Sequence, residues 1–131
     1  MPRHPGVYAR MLGERLAAHD VPVWLINTGW TGGPYGTGER INIALTREIV
    51  RAALEGGLGR ASTRRDPVFG LEVPVAVAGV PDRVLDPRRT WSDPDAYDQA
   101  ARRLARMFAQ NFEQFESGVS RAIGSAGPDV A

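Results

Sequence analysis

Five glycines, at positions 29, 32, 33, 36 and 38, run directly into Glu39-Arg40-Ile41. This is the stretch of the 131-residue chain best placed to do chemistry. The apolar run Val21 to Ile26 leads into it, and a helical pattern beginning near Leu45 leads out. Strand, glycine-rich loop and helix is the layout in which an α/β protein turns backbone N–H groups and a helix N-terminus towards an anion. The loop is not a standard phosphate motif. Gly33 and Gly38 have the first spacing of a Walker A loop, but Glu39-Arg40 stands where Lys-Ser/Thr belongs. The charge that grips phosphates is then missing, and Glu39 would repel them. Nor is it a dinucleotide fingerprint, because Gly36-Thr37-Gly38 is followed at the third position by Ile41. Composition alone favours a plain surface turn, with glycines supplying positive φ and Pro34 fixing one dihedral.

The remaining residue types exclude several chemistries. Cysteine is absent, which removes disulfides, zinc ribbons and thiol nucleophiles together. All 16 basic residues are arginine, so no P-loop, Schiff-base or acid/base lysine exists within these residues. The two histidines, His4 and His19, lie about four helical turns apart and form no metal pair. Both are read as surface or capping residues. A net charge of +1 creates no global field and asks for neither nucleic acid nor an acidic membrane. No apolar run approaches a membrane span, and no signal-peptide pattern opens the sequence, so the expected compartment is the cytoplasm.

Taken as a whole, the loop and its surroundings resemble ATP-dependent phosphoenolpyruvate carboxykinase. The resemblance is carried by Asn27-Thr28-Gly29-Trp30, by Gly36-Thr37-Gly38-Glu39-Arg40-Ile41 and by Thr46-Arg47. It continues through Asp66-Pro67-Val68-Phe69-Gly70-Leu71-Glu72-Val73-Pro74, Gly79-Val80-Pro81, Leu85-Asp86-Pro87-Arg88 and Asn111-Phe112. It implies that residues 1–131 are one C-terminal portion of that family's mononucleotide-binding domain, an α/β fold, with Met1-Pro2-Arg3-His4-Pro5 falling well inside the full enzyme. The family converts oxaloacetate and ATP to phosphoenolpyruvate, ADP and carbon dioxide, a step of gluconeogenesis. By the same resemblance Arg40, Ile41 and Thr46 contact the adenine and ribose of ATP. Mg²⁺ or Mn²⁺, the phosphate-gripping lysine and the oxaloacetate site would lie outside these residues. Oxaloacetate is then a partner only together with a missing N-terminal part. The 131 residues alone are expected to be inactive, and the alternative is a non-catalytic nucleotide-binding or interaction module derived from the same domain.

Physical roles can be attached to the three residues. Arg40 offers a planar guanidinium that stacks on a purine or donates to ribose hydroxyls. Ile41 offers an apolar wall. Thr46, near a helix start, has a hydroxyl able to bond adenine or to cap the helix. Without the resemblance, the cap is preferred for Thr46, and a surface ion pair with Glu39 or Glu48 for Arg40. Asn27 is expected to tie down the loop and Trp30 to pack.

The elements that must position these residues follow from periodicity. Pro5 opens a helix that places Tyr8, Met11, Leu12 and Leu16 on one face, ends near Asp20 and is expected to pack on a sheet. Val21 to Ile26 reads as a parallel strand covered on both faces. Ile49, Val50, Ala53 and Leu54 recur at helical spacing, and Gly56-Gly57 is a stop. Gly56 to Arg65 reads as an exposed, mobile connector with Arg64-Arg65 in solvent. Val68 to Val77 alternates as a bent edge strand broken at Pro74. Val80 to Arg89 is irregular, with Val84 and Leu85 turned inward and a turn at Asp86-Pro87. A long C-terminal helix starts at Asp93-Pro94-Asp95 and carries Tyr97, Ala101, Leu104, Phe108, Phe112 and Phe115 as a stripe. Ser125 to Ala131 is expected to fray.

Overall fold

A computed structural model describes residues 3–130; Met1, Pro2 and Ala131, which begin and end the stretches discussed above, lie outside the described residues. The chain is a mixture of helices and two small sheets, the α/β character that the sequence implies. Helix α1 spans Pro5–His19. His4 caps it, its Nδ1 accepting from the Gly6 N–H at 3.2 Å, and Asp20 closes it in the left-handed region at φ 47°. Its apolar face is uncovered, with Tyr8, Met11 and Leu12 all exposed. The expected packing of this helix on a sheet is not found. It is held instead at its start, where the His4 ring meets Phe115 edge-on at 6.0 Å.

Val21 to Ile26 does not form a strand. Trp24 and Ile26 turn inward and are half-buried, while Val21, Val23 and Leu25 point out, Leu25 being 82% exposed. The reason is physical. A parallel strand needs neighbours on both sides for its N–H and C=O groups, and the described residues offer none. The two sheets are antiparallel hairpins. Strands β1 (Trp30–Thr31) and β2 (Glu39–Arg40) bracket the glycine-rich loop, and β3 (Thr63–Arg65) pairs with β4 (Glu72–Pro74).

Helix α2, Ile43–Leu54, falls where the periodicity places it. The following segment is not a mobile connector. Gly56 turns left-handed at φ 72°, which lets the four-residue helix α3 (Gly57–Arg60) fold back and bury Leu58 to 3% exposure. Leu58 joins Val77 and Val80 as the centre of the core, with Trp24, Ile49, Ala52, Ala53, Val84 and Leu85 packed round it. The inward turn of Val84 and Leu85 is therefore as expected. Arg64 is also not left in solvent: it donates to the Leu85 carbonyl at 3.3 Å and meets Asp86 at 3.4 Å. Val68 to Val77 is reduced to β4, and Pro74 ends that strand rather than interrupting a longer one.

Two 3₁₀ turns, Asp82–Leu85 and Pro87–Thr90, fill the stretch read as irregular. Helix α4 runs Pro94–Glu116, with Asp93 Oδ1 accepting from the Asp95 and Ala96 N–H groups. Ala101 and Ala105 are its buried residues, whereas Leu104 and Phe108 of the expected stripe are half exposed. After α5 (Arg121–Gly124) the tail is tied back, the Asp129 N–H donating to the Val68 carbonyl at 2.7 Å. No helix among the described residues is long and apolar enough to cross a membrane.

Candidate functional site

The glycine-rich loop is the tip of a hairpin. Trp30 faces Arg40 and Thr31 faces Glu39 across it, and the Ile41 N–H extends the pairing by donating to the Gly29 carbonyl at 2.9 Å. Gly38 is required by close approach: a Cβ there would stand 2.5 Å from the carbonyl oxygens of Thr31 and Gly33. Gly36 is required by its φ of 89°. Two of the loop's donors are spent on the loop itself, the Thr37 and Gly38 N–H groups both bonding the Pro34 carbonyl, at 3.0 and 2.9 Å. The start of α2 is likewise closed, with Asn42 Oδ1 accepting from the Ala44 N–H at 2.8 Å. The phosphate-facing strand–loop–helix arrangement expected of this stretch is thus replaced by a self-bonded hairpin whose second strand presents Arg40.

Asn27 ties down the entrance, accepting from the Gly29 N–H and donating to the Trp30 carbonyl. Trp30 packs mainly on Tyr35, edge to face at 5.6 Å. The loop is anchored from afar by Thr90. Its hydroxyl donates to the Pro87 carbonyl at 2.7 Å and accepts from the Thr31 hydroxyl at 2.9 Å and the Gly32 N–H at 3.1 Å. The turn that carries Thr90 is fixed in its turn by Arg88, whose Nε and Nη2 hold the two oxygens of Asp98 on α4 at 2.9 and 3.0 Å. That hydrogen bond draws the Asp98 carboxyl below its usual range and raises Arg88.

Between the hairpin and these turns lies a cavity of about 460 Å³. Arg40, Ile41, Asn42 and Leu45 line one side, Arg83, Val84, Arg89 and Thr90 the other, with Thr31 and Glu39 between. Its size suits a small organic ligand, and it mixes apolar walls with a few polar groups. Of the residues expected to bind adenosine, Arg40 and Ile41 are brought together on this lining. Thr46 is not on it. It sits half-buried one turn further along α2, on the face shared with Asn42 by helical spacing. Since Asn42 makes the cap, the capping role preferred for Thr46 on residue type alone is taken. The ion pair preferred for Arg40 does not form either. Glu48 is held by Arg51 at 3.2 Å, and Arg40 has no carboxylate partner among the described residues.

Ile41 also borders a second, apolar cavity of about 520 Å³ that reaches Trp24, Leu58, Val77, Trp91 and Tyr97. Burial there pushes the Tyr97 phenol up, helped by the Asp66 and Asp86 carboxylates. No group of three or more His, Asp or Glu side chains able to hold a metal occurs among the described residues. Sequence reasoning missed Arg83, Arg89 and Thr90. No local pattern pairs Thr90 with a loop 59 residues earlier. The usable signal was the inward turn of Val84, which fixes where its neighbour Arg83 emerges.

Comparison with known proteins gives matches along the chain. The family model described as phosphoenolpyruvate carboxykinase matches residues 1–83, which include the hairpin and α2. The chain is 56% identical over 128 residues to a phosphoenolpyruvate carboxykinase (ATP) of Thermus thermophilus, covering 98% of this chain. It is 53% identical over 130 residues to one from Salinibacter ruber and 54% identical over 128 to one from Sinorhizobium fredii. In each case it spans 24% of the relative's length.

Proposed function

Because the chain belongs to the phosphoenolpyruvate carboxykinase (ATP) family, we propose that residues 1–131 supply the adenosine-binding segment of a mononucleotide-binding domain. The complete protein would convert oxaloacetate and ATP to phosphoenolpyruvate, ADP and carbon dioxide. The observation that carries the assignment is the meeting of Arg40 and Ile41 on one cavity, with the Arg40 guanidinium uncommitted. Arg40 then lies over the purine or donates to the ribose, and Ile41 walls the base. Thr46 lies off this lining, so its hydroxyl contacts the adenine only where the base extends past Asn42 along α2. The divalent cation that the reaction uses would be held by residues outside 1–131, and its chemistry would belong to the rest of the protein.

Phosphoryl transfer occurs at the far end of the nucleotide, so a contact to adenosine is made equally in the ground and transition states. Such a contact sets KM for ATP and leaves turnover nearly unchanged. In a full-length enzyme carrying this segment, Arg40→Ala should weaken ATP binding by roughly 1–3 kcal/mol, about 5- to 150-fold, with oxaloacetate binding little affected. Equal dissociation constants for ATP in the wild type and the variant would remove Arg40 from the site.

A further inference from the structure

We propose that Asp98 on α4 is a positioning residue for the adenosine contacts, acting through Arg88 and Thr90 to set where the hairpin holds Arg40 and Ile41. This role rests on the adenosine reading of the cavity and adds to it a control from outside the lining, where Asp98 does not appear. Asp98 reaches the hairpin through two side chains. Arg88 donates from Nε and Nη2 to the two Asp98 oxygens, at 2.9 and 3.0 Å, so two parallel bonds fix the guanidinium plane where one would let it swing. Asp95 adds little, since it stands 4.0 Å from Arg88 and is 88% exposed. Further along the same 3₁₀ turn, the Thr90 hydroxyl accepts from the Thr31 hydroxyl at 2.9 Å and from the Gly32 N–H at 3.1 Å.

The path runs from a stiff element to a weak one. α4 is a 23-residue helix capped by Asp93 and seated through the buried Ala101 and Ala105. The turn Pro87–Thr90 is four residues of 3₁₀ helix, a form whose hydrogen bonds are poorly aligned and which has little stability of its own. Arg88 ties that turn to α4. The hairpin then closes on the turn at backbone distance: a Cβ on Gly32 would stand 3.2 Å from the Thr90 carbonyl oxygen. With so little clearance, a shift of the turn carries Thr31 and Gly32 with it. Thr31 pairs with Glu39 and Trp30 with Arg40, and the Ile41 N–H bonds the Gly29 carbonyl. Displacement of the first strand therefore reaches Arg40 and Ile41 across the ladder. Contacts already held in place need less ordering when a ligand arrives, and this chain of bonds supplies that order from α4.

The test has a ligand-free arm and an adenosine arm, both on the 131-residue chain. In amide spectra of the isotopically labelled free chain, Asp98→Asn, which keeps the shape and removes the charge, should shift Gly32, Arg40 and Ile41 as well as the turn. Asp95→Asn should leave those three in place. In calorimetric titrations with adenosine, Asp98→Asn should weaken binding about three- to tenfold, within the range by which residues remote from a ligand alter its affinity. Thr90→Val should weaken it too, and the double variant should be no weaker than Thr90→Val alone, because both substitutions cut one path. A substitution that merely destabilised the fold would instead add its effect to that of Thr90→Val. Unshifted Gly32, Arg40 and Ile41 amides in Asp98→Asn would overturn the inference whatever adenosine does. Equal adenosine affinity in wild type and Asp98→Asn, or losses that multiply in the double variant, would also overturn it and leave the adenosine site standing. Failure of the wild type to bind adenosine would remove the adenosine reading, and the positioning role with it.

Discussion

Replacing Thr90 by valine removes one hydroxyl and keeps the shape, and three groups lose their partner at once. They are the Pro87 carbonyl, the Thr31 hydroxyl and the Gly32 N–H, now bonded at 2.7, 2.9 and 3.1 Å. A neutral hydrogen bond contributes about 0.5–1.5 kcal/mol net, so the three together bound the loss at roughly 1.5–4.5 kcal/mol. Thr31, Gly32 and Thr90 are only half-buried, and water can replace part of what is lost. The expected cost is therefore near the lower end, about 2 kcal/mol, or a fall in Tm of roughly 5–10 °C for a chain of this size. Thermal melts followed by circular dichroism would read it. Thr90→Ser, which retains the hydroxyl, should recover most of the loss. The hairpin that carries Arg40 should also loosen, weakening nucleotide binding in Thr90→Val and not in Thr90→Ser. A valine variant as stable as wild type, or a serine variant no better than valine, would refute the idea that one hydroxyl anchors the loop.

Two further outcomes follow from the same structure. The Asp98 carboxyl is held below its usual range by Arg88, so the stability that this pair contributes is present above the ordinary aspartate pKa and is lost as pH falls through the lowered value. The difference in Tm between wild type and Arg88→Ala should be visible at pH 7 and shrink as the pH falls below the ordinary aspartate value of about 4; a difference that persists undiminished in strong acid would show that packing, not charge, is responsible. Val23 and Leu25 are 60% and 82% exposed, so the chain should self-associate through this apolar strip in sedimentation velocity, and Val23→Ser with Leu25→Ser should reduce that association while moving stability by under about 0.5 kcal/mol. Unchanged association would place the contact elsewhere.

The three long helices were legible because their signals are local. Pro5, Asp93-Pro94-Asp95 and the spacing of Ile49, Val50 and Ala53 each specify an end or a face without reference to the rest of the chain. Val21 to Ile26 was legible in part. The alternation of Trp24 and Ile26 inward with Val23 and Leu25 outward is a strand's period, but pairing needs partners that these residues do not contain. Leu58 was missed because a four-residue helix flanked by glycines has no period to read, and burial there follows from the left-handed turn at Gly56. Arg40 and Ile41 could be named because they are consecutive in a motif. Arg83 and Arg89 could not, since their place beside the hairpin comes from the packing of Val84 and the anchoring of Thr90.

The assignment of the cavity to adenosine is tested most directly by amide chemical-shift mapping of the isotopically labelled chain during a titration with ATP. The account predicts that the largest perturbations fall on Glu39 to Arg47 and on Arg83 to Thr90, the two sides of the cavity, and saturate together. Perturbations centred instead on the cavity between Phe108, Phe112 and Ile123, or the absence of any saturable change, would contradict it.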